Sequence, residues 1–282
     1  PSTGCIVDVH HINNGNSLVG KLVLMPTSRG SCSGSGVLLQ LIQNGLAPKA
    51  LIFHEEEEIL TLGAIVSDQL FNKKVAILRV SKDIYSDLAT EDTAEIFENT
   101  LVCGSKTIKL WGLGTETLNL NSTDRRMLNG DQGIANKIAM EAICKMAAVQ
   151  SANELIDVTK GHIDGCILAH DANLIFAEKM YKLGANVSIP TTINAISVNL
   201  NNWENQGVEP DFGNKASRLA NAYQKMGAHP TYTCAPYLLE NKPQRDEVIG
   251  WSESNAVIYA NSILGAKTCL LYTSALPTTY TV

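Results

Sequence analysis

Short apolar, β-rich runs alternate with helical-period stretches along most of this chain, and several of the runs open into loops of glycine, hydroxyl and charged residues. Parallel strands need a crossover of about a dozen residues, usually a helix, so this order selects an α/β fold with a mainly parallel sheet covered on both faces. Ser17 to Met25, Ala50 to Phe53 and Val75 to Val80 read as strands of a small α/β unit over residues 1–82. Helices are expected between them at Val37 to Asn44 and Ile59 to Leu70. Residues 83–123 are polar and pattern-poor and read as an interdomain linker with one β-like piece, Thr107 to Leu110.

A second unit begins at Asp124 and runs to residue 268. Apolar positions 134, 138, 139, 142, 143, 146 and 147 predict a helix over Ile134 to Val149. Glu154 to Val158 and Asn186 to Ile189 read as strands, and Ile167 to Leu183 as a helix. Lys215 to Met226, closed by Gly227, and Ser254 to Leu264, closed by Gly265, complete the helices. Ligands on such sheets sit at the carboxyl ends of the strands.

Composition narrows the function. Hydrophobic residues are 45% and charged residues 18% of the chain, a core-forming mixture. The net charge is −6 and no Lys/Arg run exceeds two, which argues against a nucleic-acid or anionic-membrane surface. Apolar runs such as Leu22 to Met25 are too short to span a bilayer. The seven cysteines, at 5, 32, 103, 144, 166, 234 and 269, form no CxxC pair, so a zinc ribbon or disulfide scaffold is disfavoured and a reducing, cytoplasmic setting is expected.

Five loops carry candidate chemistry, each with a plainer reading beside it. Pro26 to Gly36 is a Gly/Ser turn opening a helix, where backbone amides and Arg29 suit an anion; it is equally a flexible turn, and it lacks a P-loop ending. Thr159 to Gly165 offers His162 and Asp164 for acid–base work or for simple capping. Pro190 to Asn194 offers hydroxyls and an amide for a small ligand or an N-cap. In His229 to Tyr237, Cys234 is either an inert thiol or a thiolate ligand. Glu253 and Ser254, in Trp251 to Asn255, either hold an anion at a helix start or cap it.

Taken in order, RGSCSGS, GHIDG, PTTINA, PTYTCAPYL and WSESNAVIYANSILGAKT resemble the aconitase X family over about residues 4–80 and 124–268. The resemblance implies a small swivelling β/α domain followed by part of an aconitase-like α/β domain. It also implies a hydro-lyase that removes water from a small hydroxy acid, using an iron–sulfur cluster as Lewis acid. On that basis Cys234 matches a cluster ligand and Ser31 the serine that accepts a proton. Arg29, Gly30, His162, Asp164, Gly165, Cys166, Ile167, Asn194, Glu253 and Ser254 fall where the family meets substrate and cluster. The family's other two cluster cysteines lie beyond the stretch matched here. Residues 269–282 match nothing in the family and read as non-native, and the usual opening before Thr3 is missing, so a fragment inactive by itself is expected. Both domains in one chain point to cis-3-hydroxy-L-proline as substrate, with 5-phosphomevalonate the alternative and a non-catalytic anion-binding protein the reading from another class. The sequence leaves the oligomeric state open.

Overall fold

The computed structural model describes residues 2–28 and 33–268. β1 (Leu22–Leu24), α1 (Ser33–Gln43), β2 (Ala50–Phe53), α2 (Ile59–Phe71) and β3 (Ala76–Arg79) alternate along the chain. The strands are parallel in the order β1-β2-β3, with Leu22 opposite Ala50 and Ala50 opposite Ala76. All four residues of central β2 are buried, as a parallel strand covered on both faces requires. α2 begins where the Glu57 carboxylate accepts from the amides of Leu60 (2.7 Å) and Thr61 (2.9 Å), satisfying two donors that a helix start leaves free. It ends at Asn72 in the left-handed conformation, φ 53°. A Cβ on Gly63 would stand 2.6 Å from the Ser35 carbonyl oxygen, so α1 and α2 meet main chain to main chain where only glycine fits.

The stretch expected as a linker is structured. It holds α3 (Lys82–Leu88), capped by Ser81, and an antiparallel meander of β4 (Ala94–Phe97), β5 (Thr100–Cys103) and β6 (Lys106–Lys109). Each strand contributes only one or two apolar residues to one face, too few to stand out in the sequence. Ile96, Leu101 and Ile108 fall in register, and the face packs with Leu88 on Ile52 and Val80 of the first sheet.

α4 (Ser122–Asn129) starts with a reciprocal capping box between Asn121 and Asp124. Then come α5 (Ile134–Val149), β7 (Gly161–Ile163), α6 (Asp171–Lys182), β8 (Thr191–Ile193), α7 (Pro210–Lys225), β9 (Gly250–Trp251) and α8 (Ser254–Tyr259). A π-helical turn over Ala260–Leu264 extends α8 and stops at Gly265, φ 69°. The strands form a parallel sheet in the order β8-β7-β9.

Two stretches expected as strands are not strands. Glu154 to Val158 contributes one isolated bridge, from Glu154 to Asn119, and its Ile156 is exposed; Asn186 to Ile189 forms no strand. The true strands lie a few residues later, inside the motifs read as loops. They carry histidine and threonine, and they can be buried because those polar groups bond one another.

The two parallel sheets are separate, yet the units share one core. Leu39, Leu62, Ile65, Val66 and Leu70 of α1 and α2 pack in the same cluster as Ala139, Met146, Phe176 and Met180 of α5 and α6. Gln40 Oε1 accepts from the Ala172 amide at 2.8 Å, and Gln69 donates to Glu141 at 3.0 Å, across the same junction. No described helix is long and apolar enough to cross a membrane.

Candidate active site

Register decides which side chains meet at the ends of β7, β8 and β9. Gly161, His162 and Ile163 stand opposite Thr191, Thr192 and Ile193, and His162 also pairs with Trp251. Side chains alternate between the faces of a sheet. Thr192, His162 and Trp251 therefore form one row, and Asn194, Asp164 and Glu253, two residues further along, form the next. The ladder reaches this far, since the Asn194 amide donates to the Ile163 carbonyl at 3.0 Å.

In the first row His162 is fully buried, with its ring edge-on to Trp251 at 6.3 Å between centroids. Its Nδ1 lies 2.8 Å from Thr192 Oγ1, and the Thr192 hydroxyl donates to the Gly161 carbonyl at 3.4 Å. The network thus assigns the ring proton to Nδ1 and leaves Nε2 a lone pair, which has no partner among the described residues. Burial lowers the His162 pKa from 6.5 to about 4, so the ring is neutral near pH 7.

In the second row the buried Asn194 side chain donates to Asp164 Oδ1 and to Glu253 Oε2, both at 2.5 Å. Its own oxygen accepts from the Ala195 amide at 2.6 Å, so the amide is fully committed and cannot turn away. Asp164 and Glu253 are partly open to solvent. Burial raises both carboxyl pKa values; the Asp164 charge raises Glu253 further, and the Asn194 bond opposes both shifts. Glu253 sits at the α8 N-cap but makes no capping bond, because its carboxylate is spent on Asn194.

The other expected site residues divide. Cys234 is exposed on the rim, and its carbonyl accepts from Asn255 of α8 at 2.9 Å. Ser254 and Ile167 are exposed, and Gly165 is buried. Cys166, expected to touch substrate, is instead fully buried within the main core, and that burial pushes its thiol pKa up. Arg29, Gly30 and Ser31 lie outside the described residues, as does the 269–282 tail. His162 and Asn194 stand on or directly at the end of strands, and not in the loops first assigned to them. Thr192, Trp251 and Ser252, whose hydroxyl donates to the His162 carbonyl at 2.8 Å, lie within the candidate motifs, but the sequence does not assign them individual roles. Period-two spacing within the motifs would have found the first two.

Two cavities, of about 510 and 260 Å³, lie elsewhere, one between α2, β3 and the end of α5, the other beside α5 and residues 115–128.

Residues 1–103 match the aconitase X swivel domain and residues 117–271 the aconitase X first domain. The chain belongs to the aconitase X family. It is 42% identical, over 95% of its length, to the cis-3-hydroxy-L-proline dehydratases of Hypocrea jecorina and Pseudomonas aeruginosa, and covers 47% of each. It therefore spans about half the length of these curated relatives. The crystal structure of Thermococcus kodakaraensis aconitase X in its holo-form aligns over 56% of this chain and 39% of that one, with 31% identity and a TM-score of 0.50.

An aconitase X iron–sulfur cluster would need several thiolates converging on one point. Among the described residues Cys234 is the exposed thiol at this site, Cys103, Cys144 and Cys166 are buried, and no group of three His, Cys, Asp or Glu is placed to hold a metal. The described residues do not by themselves form a cluster site.

Proposed function

We propose that this chain supplies the swivel unit and the first catalytic unit of a hydro-lyase acting on cis-3-hydroxy-L-proline, a small hydroxy acid. The 42% identity over 95% of the chain to two dehydratases of that name carries the reading. The acid–amide–acid row at the carboxyl ends of parallel strands supports it, because a small polar substrate binds where such a sheet exposes its strand ends.

The reaction breaks the C–H bond at the carbon bearing the carboxylate and the C–O bond at its neighbour. In this reading Ser31 accepts the proton from carbon, helped by Arg29 and the Gly30 amide, which stabilise negative charge in the same loop. The C–H electron pair forms the C=C bond as the C–O bond breaks, the departing hydroxide takes up a proton from solvent to leave as water, and the resulting cyclic enamine tautomerises to pyrroline-2-carboxylate. Glu253, Ser254, Asn194 and the stretch from His162 to Ile167 form the substrate side in this reading. An iron–sulfur cluster with Cys234 as one ligand belongs to the same reading, and the described residues supply no companion ligands. A cytoplasmic location follows from the reduced thiols this chemistry needs.

The test is anaerobic incubation of the full-length enzyme with cis-3-hydroxy-L-proline and, in parallel, 5-phosphomevalonate, followed by mass spectrometry for loss of water. Dehydration of the proline derivative, abolished by Ser31→Ala, is expected. Dehydration of 5-phosphomevalonate alone would overturn the substrate, and dehydration of neither would overturn the activity.

A further inference from the structure

The row formed by Asn194, Asp164 and Glu253 is one-sided in its chemistry. Both N–H bonds of Asn194 are spent on the two acids, each of which keeps a second carboxylate oxygen with no hydrogen bond or ion pair among the described residues. Among the described residues no lysine or arginine pairs with either carboxyl group. Two half-buried acids are thus held side by side by a neutral amide, an arrangement that costs free energy unless a cation completes it.

The row beneath adds an independent observation. His162 is fully buried and neutral, with Nδ1–H committed to Thr192 and the Nε2 lone pair unpartnered. A buried acceptor without a donor is rare and calls for one. Period-two spacing puts this ring on the same sheet face as the two acids. Among the described residues the face therefore carries two carboxylates beside a buried imidazole lone pair, with no positive charge to balance them.

We infer that Asp164 and Glu253 bind the ring ammonium of the substrate, and that Asn194 is the positioning residue that holds them for it. A secondary ammonium brings one positive charge and two N–H donors, which the described residues of this face do not supply. The pair would thereby select a cyclic amino acid over a hydroxy acid that has no amine. This inference rests on the reading of the chain as a dehydratase of a proline derivative and adds the groups that recognise its nitrogen.

The test is calorimetric binding of L-proline to the full-length enzyme, compared with tetrahydrofuran-2-carboxylate, in which an ether oxygen replaces the ammonium. Wild type is expected to prefer proline by roughly tenfold or more. Asp164→Asn and Glu253→Gln should each erase most of that preference while retaining the wild-type far-ultraviolet circular dichroism and Tm to within a few degrees. Asn194→Asp, which replaces the donor with a third acid, should also lose it. Equal binding of the two ligands, no proline binding by folded wild type, or variants that keep the preference would each overturn the inference. Should one variant fail to fold, the other decides. Proline selectivity without dehydration of the hydroxylated substrate would sink the dehydratase reading and leave the ammonium site standing. Dehydration with no amine selectivity would do the reverse.

Discussion

At the scale of single residues, His162 gives the fold a pH signature with a definite sign. Its folded pKa of about 4 lies below its ordinary 6.5, so between those values the unfolded chain binds more protons. Lowering the pH from 6.5 to 4 should cost the folded state roughly 3 kcal/mol through this group. Asp164 and Glu253, with raised pKa values, oppose that slope. Urea titrations across this window should show a flatter dependence in His162→Gln than in wild type. Asn194→Ala leaves two acids without their shared donor and should lower stability by about 1–3 kcal/mol, read from the denaturation midpoint. The chemical types at this site were legible in the sequence, because His162, Asp164, Asn194 and Glu253 are unusual residues bracketed by glycine, proline and apolar neighbours. The bonds between them were not, since a contact between positions 164, 194 and 253 depends on strand order, which local pattern does not carry.

Secondary-structure elements show the same division. Helices α2 and α5 stand out in the sequence because their apolar spacing persists for three turns or more. The three-residue β7 and β8 do not, since each mixes apolar residues with histidine or threonine, and the meander of β4 to β6 hides within a polar stretch. What fixes the start of the β7–β9 pair is a charge clamp, Lys160 to Glu247 at 2.7 Å, with both side chains mostly buried. Burial works against the Glu247 charge, but the bonds from Lys160, Thr159 and the Gln244 amide outweigh it and hold the pKa at about 2. That stability is present above pH 4.5 and is lost as the pH falls toward 2. Lys160→Met leaves the acid unpaired and should cost about 3 kcal/mol in chemical denaturation at neutral pH, a penalty that shrinks in acid. Gly63→Ala forces a methyl against the Ser35 carbonyl, and the resulting separation of α1 from α2 should lower stability by about 1–3 kcal/mol.

Over the whole molecule, the two sheets behave as one thermodynamic body because α1 and α2 of the first unit complete the core under α5 and α6 of the second. Leu62 is fully buried in that shared core, and Leu62→Ala should cost about 2–5 kcal/mol. Calorimetry should show one transition for wild type, with the whole transition moving in the variant; two separable transitions would contradict a common core. This junction was invisible in the sequence, where residues 83–123 look like a flexible tether. The shared core has a consequence for synthesis. The first unit leaves the ribosome with Leu39, Leu62, Ile65 and Leu70 uncovered, and they stay bare until the chain has been made through Lys182. At ordinary translation rates that is roughly 5 to 20 s of exposed apolar surface on every nascent chain, long enough for a holding chaperone to become part of how this protein is made.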